Sequence, residues 1–252
     1  MKWFSIGAPI VPVVLGVALL SGCSSSSTTN PGGPGLPAAS AATVTSKEIG
    51  ALVDKLVVAP EGPMTGYDRE KFPHWDTNKP EHGFTGDLAK YAKCTTREVM
   101  MLRDATGGVT LDAATCDLKI PAGAGWQDHY GFIDKKTNQL GPYKFITDPA
   151  KVDAEHIVPL AEAWRSGAAD RDVDTRRRIA NDSINLVAAD PSANRSKGDQ
   201  DVANYLPPGE FRCAYLEHYV KIKVKYALTV DSVEHTALRT AVADCVRGGE
   251  FK

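Results

Sequence analysis

The chain has 252 residues, of which 42% are hydrophobic, and a formal net charge of −2. This length and composition predict one folded domain with a sizeable core, preceded by processing segments. The charge excludes a protein that holds nucleic acid through bulk positive charge, so any attraction to phosphate must be local.

The N-terminal segment carries the pattern of an exported, lipid-modified protein. Residues 1–22 are mainly apolar and end in Leu-Ser-Gly before Cys23, which predicts a lipoprotein signal peptide with lipid attached to Cys23. An uncleaved membrane span is the alternative. Residues 23–44 are uncharged and rich in Ser, Pro and Gly, which predicts a flexible tether. We therefore expect a bacterial lipoprotein on the outer face of the cytoplasmic membrane, or its released form, with a folded domain at residues 45–252.

The first half of that domain is predicted to contain two capped helices and short strands. Thr45-Ser46-Lys47-Glu48 is a capping box, and apolar residues at helical spacing follow it as far as Leu56. Thr95-Thr96-Arg97-Glu98 repeats the signature and predicts a second, short helix. A strand is expected at residues 109–111, and we interpret residues 123–130 as a loop that leads into further short β structure.

Residues 151–201 contain a strand–strand–helix pattern. Residues 151–160 predict a strand that stops near its proline, and residues 185–189 predict a second, apolar strand. Asp190-Pro191 then indicates the start of a helix, because an acid suits the N-cap and proline suits the first turn.

Several side chains in this pattern suit metal-assisted hydrolysis of a phosphodiester. The carboxylate of Glu155 and the amide oxygen of Asn194 are ligands that hard divalent cations prefer. A neutral His156 can take the proton from an attacking water. Arg195 and Lys197 are candidate catalytic cations that adjoin the expected ion, and Lys197 shares a helix face with Asn194. Strict strand alternation puts Glu155 and His156 on opposite faces, so a common site requires the strand to end or twist there.

Two helices are predicted at the C-terminal end, at residues 211–227 and 231–245. Four cysteines follow Cys23, and an even number in an exported chain indicates two disulfides. If the two helices pack antiparallel, Cys213 lies near Cys245, which leaves Cys94 to pair with Cys116.

The motif residues together resemble the HNH endonucleases of the ββα-metal superfamily. Asn185 and Asn194 are nine residues apart, as that motif expects, and Asn194-Arg195-x-Lys197 matches its final part. From about Tyr67 to Cys245 the chain is also similar to the exported branch related to the GmrSD-type restriction endonuclease C-terminal domain. The segments that carry this similarity are Tyr67-Asp68-Arg69-x-x-Phe72, Cys94-Thr95-Thr96-Arg97, Trp164-Arg165-Ser166-Gly167-Ala168, Asn181-Asp182 and Leu206-Pro207-Pro208.

The resemblance implies an α+β fold in which a ββα-metal core is joined by further helices and two disulfides. It implies His156 as the general base, Glu155 and Asn194 as ligands of one divalent ion, and Asn185 as the brace of the loop between the strands. The branch usually carries Asp at the position of Glu155, so Asp153 is an alternative ligand or supporting partner. Mg²⁺ or Mn²⁺ is the first expectation for the ion, with Ca²⁺ and Zn²⁺ as alternatives.

The function implied by the resemblance is metal-dependent hydrolysis of DNA, and in second place RNA, with little sequence specificity. Arg69 and Arg97 are expected, from the resemblance alone, to contact substrate phosphate. The expected partners are the nucleic acid and a membrane that holds the lipid anchor, and no protein partner is inferred. The alternative function is an inactive envelope lipoprotein that keeps the fold and binds nucleic acid.

Overall fold

The structure is a computed structural model and describes residues 44–251. The predicted signal peptide, the lipid attachment site Cys23 and all but the last residue of the predicted tether lie outside these residues. The described part contains the helices α1 (Ser46–Val53), α2 (Thr96–Asp104), α3 (Leu160–Arg165), α4 (Val173–Asn181), α5 (Pro191–Lys197), α6 (Arg212–Lys225) and α7 (Ser232–Gly248). Between residues 44 and 251, no helix combines the length and apolar character needed to cross a membrane.

The strands are short and form small sheets between the helices. They are β1 (Ala105–Thr106), β2 (Thr110–Leu111), β3 (Leu118–Lys119), β4 (Gly125–Gln127), β5 (Ile133–Asp134), β6 (Gln139–Leu140), β7 (Phe145–Ile146), β8 (Asp153–His156) and β9 (Leu186–Ala189). One sheet has the order β1-β4-β7, and the pairs β2–β3, β5–β6 and β8–β9 form two-stranded sheets. The mixture of helices with small antiparallel sheets confirms the α+β class.

The predicted strand–strand–helix unit is present as β8, β9 and α5. β8 and β9 are antiparallel, with Asp153 opposite Ala189 and His156 opposite Leu186. β8 is shorter than the ten-residue strand that was expected, because Pro149–Lys151 form a 3-10 turn before it and the amides after His156 bond to Asn185. Ile157 N donates to the Asn185 carbonyl over 2.8 Å, and Val158 N donates to the Asn185 side chain.

The helix starts follow the sequence signals closely. Capping boxes begin α1 and α2, and the Asp190 side chain accepts hydrogen bonds from two amides at the start of α5. α1 ends at Val53, earlier than the apolar spacing to Leu56 suggested. After the C-cap at Asp54 the chain becomes extended, and Val58 forms a parallel bridge with Val230.

The interpretation of residues 123–130 as a loop is wrong for three residues, which form β4 at the centre of a sheet. Gly125 allows the close approach, since a Cβ there would collide with the Ile146 carbonyl oxygen. The Trp126 indole donates to the Met101 carbonyl over 2.7 Å. β4 owes its stability to pairing on both edges, which the local sequence does not reveal.

Two apolar cores flank the β8–β9 hairpin. Val187 and Ala189 belong to the larger core, which includes side chains of α1, α3, α4, α6 and α7. Leu186 and Ala188 belong to a second core built around α2 and β4. The hairpin therefore has two packed faces, and each face presents a different set of polar side chains.

Both predicted disulfides, Cys94–Cys116 and Cys213–Cys245, are present. The first joins the start of α2 to the segment after β2. The second joins the start of α6 to the end of α7, with a Cα–Cα distance of 5.8 Å. The antiparallel packing inferred for the last two helices is confirmed.

Replacing Cys213 and Cys245 by serine is expected to lower the free energy of unfolding by about 3.5 kcal/mol, because the disulfide restricts the unfolded chain. The loop spans 32 residues, against 22 for Cys94–Cys116, so the matched double variant of the shorter loop should lose slightly less. Denaturant unfolding followed by circular dichroism measures both losses. An unchanged unfolding midpoint in the Cys213/Cys245 variant would contradict this role.

Candidate active site

The two faces of the β8–β9 hairpin carry different chemistry. Asp153 and Glu155 lie on the face shared with Val187 and Ala189, because alternate residues of a strand point the same way. Their polar partners come from α5. His156 lies on the opposite face, toward α2 and the end of α4. The structure thus places the predicted metal ligand Glu155 and the predicted base on different faces of one strand.

Asp153 is the partner of Asn194. The Asn194 side-chain amide Nδ2 donates to Asp153 Oδ2 over 2.9 Å, which joins α5 to the start of β8. Both side chains are half-buried. In the described part of the chain, Asp153 forms no ion pair with a lysine or arginine. A carboxylate and an amide therefore lie together at the rim of the hairpin, with the negative charge uncompensated.

Glu155 is paired with Lys197 in the interior. The Lys197 ammonium donates to the Glu155 carboxylate and, over 2.9 Å, to the main-chain oxygen of His156. Burial raises the pKa of the Glu155 carboxyl, and the adjacent Lys197 opposes that rise. Lys197 has no solvent exposure, so the side chain predicted to act on substrate points into the protein.

His156 is buried and neutral. Burial lowers the pKa of its imidazole to about 3, and the ring is stacked on Trp75 with centroids 6.1 Å apart. Nε2 is 2.9 Å from the Ala180 carbonyl oxygen. A carbonyl can only accept, so Nε2 carries the proton and Nδ1 keeps the lone pair. Within residues 44–251, Nδ1 has no hydrogen-bond partner, which leaves it able to accept a proton.

Asn185 holds the chain where β8 ends. Its Oδ1 accepts a hydrogen bond from Val158 N over 2.8 Å, and its Nδ2 donates to the Ile179 carbonyl over 3.0 Å. The side chain is fully buried. These bonds link the residues after His156 to the last turn of α4.

The three candidate arginines differ in their surroundings. Arg97 donates to the Val152 and Pro149 carbonyls, so its guanidinium is hydrogen-bonded to the main chain directly before β8. Arg69 is exposed, and its charge is close enough to contribute to the lowered pKa of His156. Arg195 is exposed on α5, next to Asn194 in the chain. Arg69 therefore lies near His156, Arg97 contacts the chain just before β8, and Arg195 lies beside Asn194.

Asn181 and Trp75 are two site residues whose roles the sequence analysis missed. Asn181 Oδ1 accepts from the Thr96 hydroxyl and from Asp76 N, and its Nδ2 donates to the Pro73 carbonyl. It thereby fixes the segment that carries Trp75 over the imidazole. Asn181 was part of the family resemblance, but only its buried position as the last residue of α4 shows these contacts.

Lys197→Met is expected to destabilise the protein by about 3–5 kcal/mol, because it leaves the Glu155 carboxylate buried without its partner. Arg195→Met, two residues earlier and exposed, is the matched control and should change stability little. Urea unfolding of both variants measures the difference. Equal stability of the two variants would show that the ion pair does not hold α5 in place.

The comparisons with known proteins bear on this region. Residues 126–241 match the family model described as the C-terminal domain of GmrSD restriction endonucleases, and this match spans the whole β8–β9–α5 unit. Over 217 residues the chain is 33% identical to an uncharacterized secreted protein of Arthroderma benhamiae, which covers 84% of this chain and 88% of the relative. No solved structure matches the chain significantly. The chain therefore belongs to one family with this secreted protein, and its residues 126–241 form a domain of the GmrSD restriction endonuclease C-terminal family.

Proposed function

We propose that this protein is an exported, metal-dependent endonuclease that hydrolyses nucleic-acid phosphodiester bonds with little sequence specificity. The observation that carries the proposal is the β8–β9–α5 unit, in which Asp153 contacts Asn194 and a neutral His156 ends the same strand. The GmrSD domain supports a nuclease-related function, and the secreted relative supports export.

The donor set at Asp153 and Asn194 fits a hard divalent cation such as Mg²⁺ or Mn²⁺. The carboxylate carries a negative charge that no described lysine or arginine pairs with, and the amide supplies a neutral oxygen. Both are half-buried, so water and phosphate can reach the remaining positions. A bound ion would stabilise the negative charge that builds up on the phosphoryl oxygens.

Glu155 has a different role in this proposal from the one that the family resemblance implies. It lies on the same strand face as Asp153, but its carboxylate is bonded to Lys197. We assign this pair to holding α5 against β8, and we assign the ligand role to Asp153 with Asn194. Lys197 then acts as a positioning residue.

His156 accepts the proton of the attacking water at Nδ1. The hydrogen bond from Nε2 to the Ala180 carbonyl supports this role, because it fixes the lone pair on Nδ1. Asn185 keeps the chain after His156 from shifting. Among the described strands β8 pairs only with β9, so groups from its two faces can converge at its other edge. We place the scissile phosphate at this edge, with Arg69 and Arg195 as candidate phosphate contacts.

Cleavage of supercoiled plasmid and of RNA by the purified, oxidised protein tests this function. We expect cleavage with at least one of Mg²⁺, Mn²⁺, Ca²⁺ and Zn²⁺, and none in EDTA. His156→Ala should lower the rate by about 10²–10⁴-fold, the usual contribution of a general base. His235→Ala, on α7, is the matched control and should retain the parent rate.

A folded protein that cleaves neither DNA nor RNA with any of these ions would contradict the nuclease. It would favour the alternative function, an inactive lipoprotein that binds nucleic acid. Two observations support that alternative: His156 is only 3% exposed, and the Glu155 carboxylate is paired with Lys197. If the His156→Ala variant still cleaves at the parent rate, the protein is a nuclease but His156 is not its general base.

A further inference from the structure

A group of large apolar side chains lies exposed on and beside the β5–β6 hairpin. Phe132 is 39% exposed, Phe145 is 45% exposed, and Ile133 and Leu140 are similarly accessible. Ile133 and Leu140 are paired across the hairpin, and Phe145 lies on β7 in another sheet. Exposed apolar groups of this kind are a feature of binding surfaces. None of these side chains takes part in the active-site contacts described above.

Two grooves lie beside these side chains along α5. One, of about 800 Å³, is lined by the β5–β6 hairpin, α5 and the segment that carries Tyr205, and Phe132 is part of its wall. The other, of about 670 Å³, is lined by Phe145, Lys151 and Arg195. They share Lys144, Asp190 and Ser192, so they form one continuous surface, here called the α5 groove.

Five cations and four carboxylates line the α5 groove, which is a formal excess of one positive charge. Lys135, Lys136 and Arg195 are exposed, and in the described part of the chain they form no ion pair. Lys144 pairs with Asp190 and Lys151 pairs with Asp148, whereas Asp128 and Asp134 accept hydrogen bonds from main-chain amides.

We propose that the α5 groove binds single-stranded nucleic acid, with Phe132 and Phe145 stacked on bases and with Lys135, Lys136 and Arg195 at phosphates. The inference rests on the proposed nuclease function, and it specifies which form of nucleic acid reaches that active site. The groove adjoins the site because Arg195 follows Asn194 in the chain. Aromatic faces beside cations are the arrangement that sequence-tolerant binding of single strands requires.

A duplex suits this surface less well than a single strand. Bases stacked in a duplex cannot offer their faces to a phenylalanine, so the two exposed rings would meet sugars and phosphates instead. A formal net charge of −2 also provides no broad positive face for two phosphate strands. The combination of two partly exposed rings with only a few unpaired cations therefore favours the single strand.

Fluorescence anisotropy in EDTA tests the groove, with the full oxidised chain and labelled oligonucleotides of about twelve nucleotides. The probes are oligo-dT, oligo-rU and a DNA duplex. We expect tighter binding of a single strand than of the duplex. Phe132→Leu with Phe145→Leu, which keeps the apolar bulk and removes the rings, should weaken single-strand binding about tenfold or more. Val233→Ala, an exposed apolar control on α7, should leave binding unchanged.

The salt dependence of binding tests the cations separately. Removing two phosphate contacts with Lys135→Ala and Lys136→Ala should reduce the slope of log affinity against log salt by about 1.4, at roughly 0.7 for each contact. The exposed pair Lys47→Ala and Lys55→Ala is the matched control and should leave the slope unchanged.

The binding proposal and the nuclease proposal can fail separately, because binding is measured in EDTA, where no hydrolysis is needed. Duplex binding as tight as single-strand binding, or full affinity in the leucine double variant, would overturn the groove even if the protein cleaves DNA. Tight single-strand binding that the leucine variant loses, without cleavage under any ion, would support the groove and overturn the nuclease. The oligo-dT and oligo-rU probes distinguish DNA from RNA as the bound strand.

Discussion

The ion pair between Glu155 and Lys197 joins α5 to β8, and the geometry of the site depends on it. Lys197 has no solvent exposure and Glu155 very little, so each charge would be costly to bury alone. The pair and the additional bond from Lys197 to the His156 carbonyl offset that cost. Because Lys197 is the last residue of α5, this contact also sets where Asn194 meets Asp153.

A two-stranded hairpin has little stability in water on its own, so other elements must fix β8 and β9. Side chains supply these restraints at several points. Asp104 at the end of α2 accepts a hydrogen bond from Ala188 N over 2.9 Å. The Tyr215 hydroxyl of α6 donates to the Ile157 carbonyl over 3.0 Å, directly after β8. The position of His156 is thus determined by both cores together and by Asn185 between them.

The sequence predicted the helices and strands whose signals are local. It also predicted which strand face each side chain occupies, but not which side chains it contacts there. Asp190-Pro191 and the two capping boxes identified helix starts, since the capping atoms lie within a few residues. Alternation correctly placed Glu155 and His156 on opposite faces. It did not reveal that Lys197 pairs with Glu155 while Asn194 contacts Asp153, because those contacts join residues about forty positions apart. β4 and the stacking of Trp75 on His156 were missed for the same reason.

Titration of the oxidised protein with Mn²⁺, followed by electron paramagnetic resonance without substrate, tests the central claim most directly. The account predicts a single bound ion whose affinity falls about tenfold or more in Asp153→Asn and in Asn194→Ala. Asp148→Asn, at an exposed carboxylate five residues earlier, should bind the ion like the parent. A loss confined to Glu155→Gln would move the ligand role to Glu155. An affinity that none of these substitutions changes would contradict a metal site between β8 and α5.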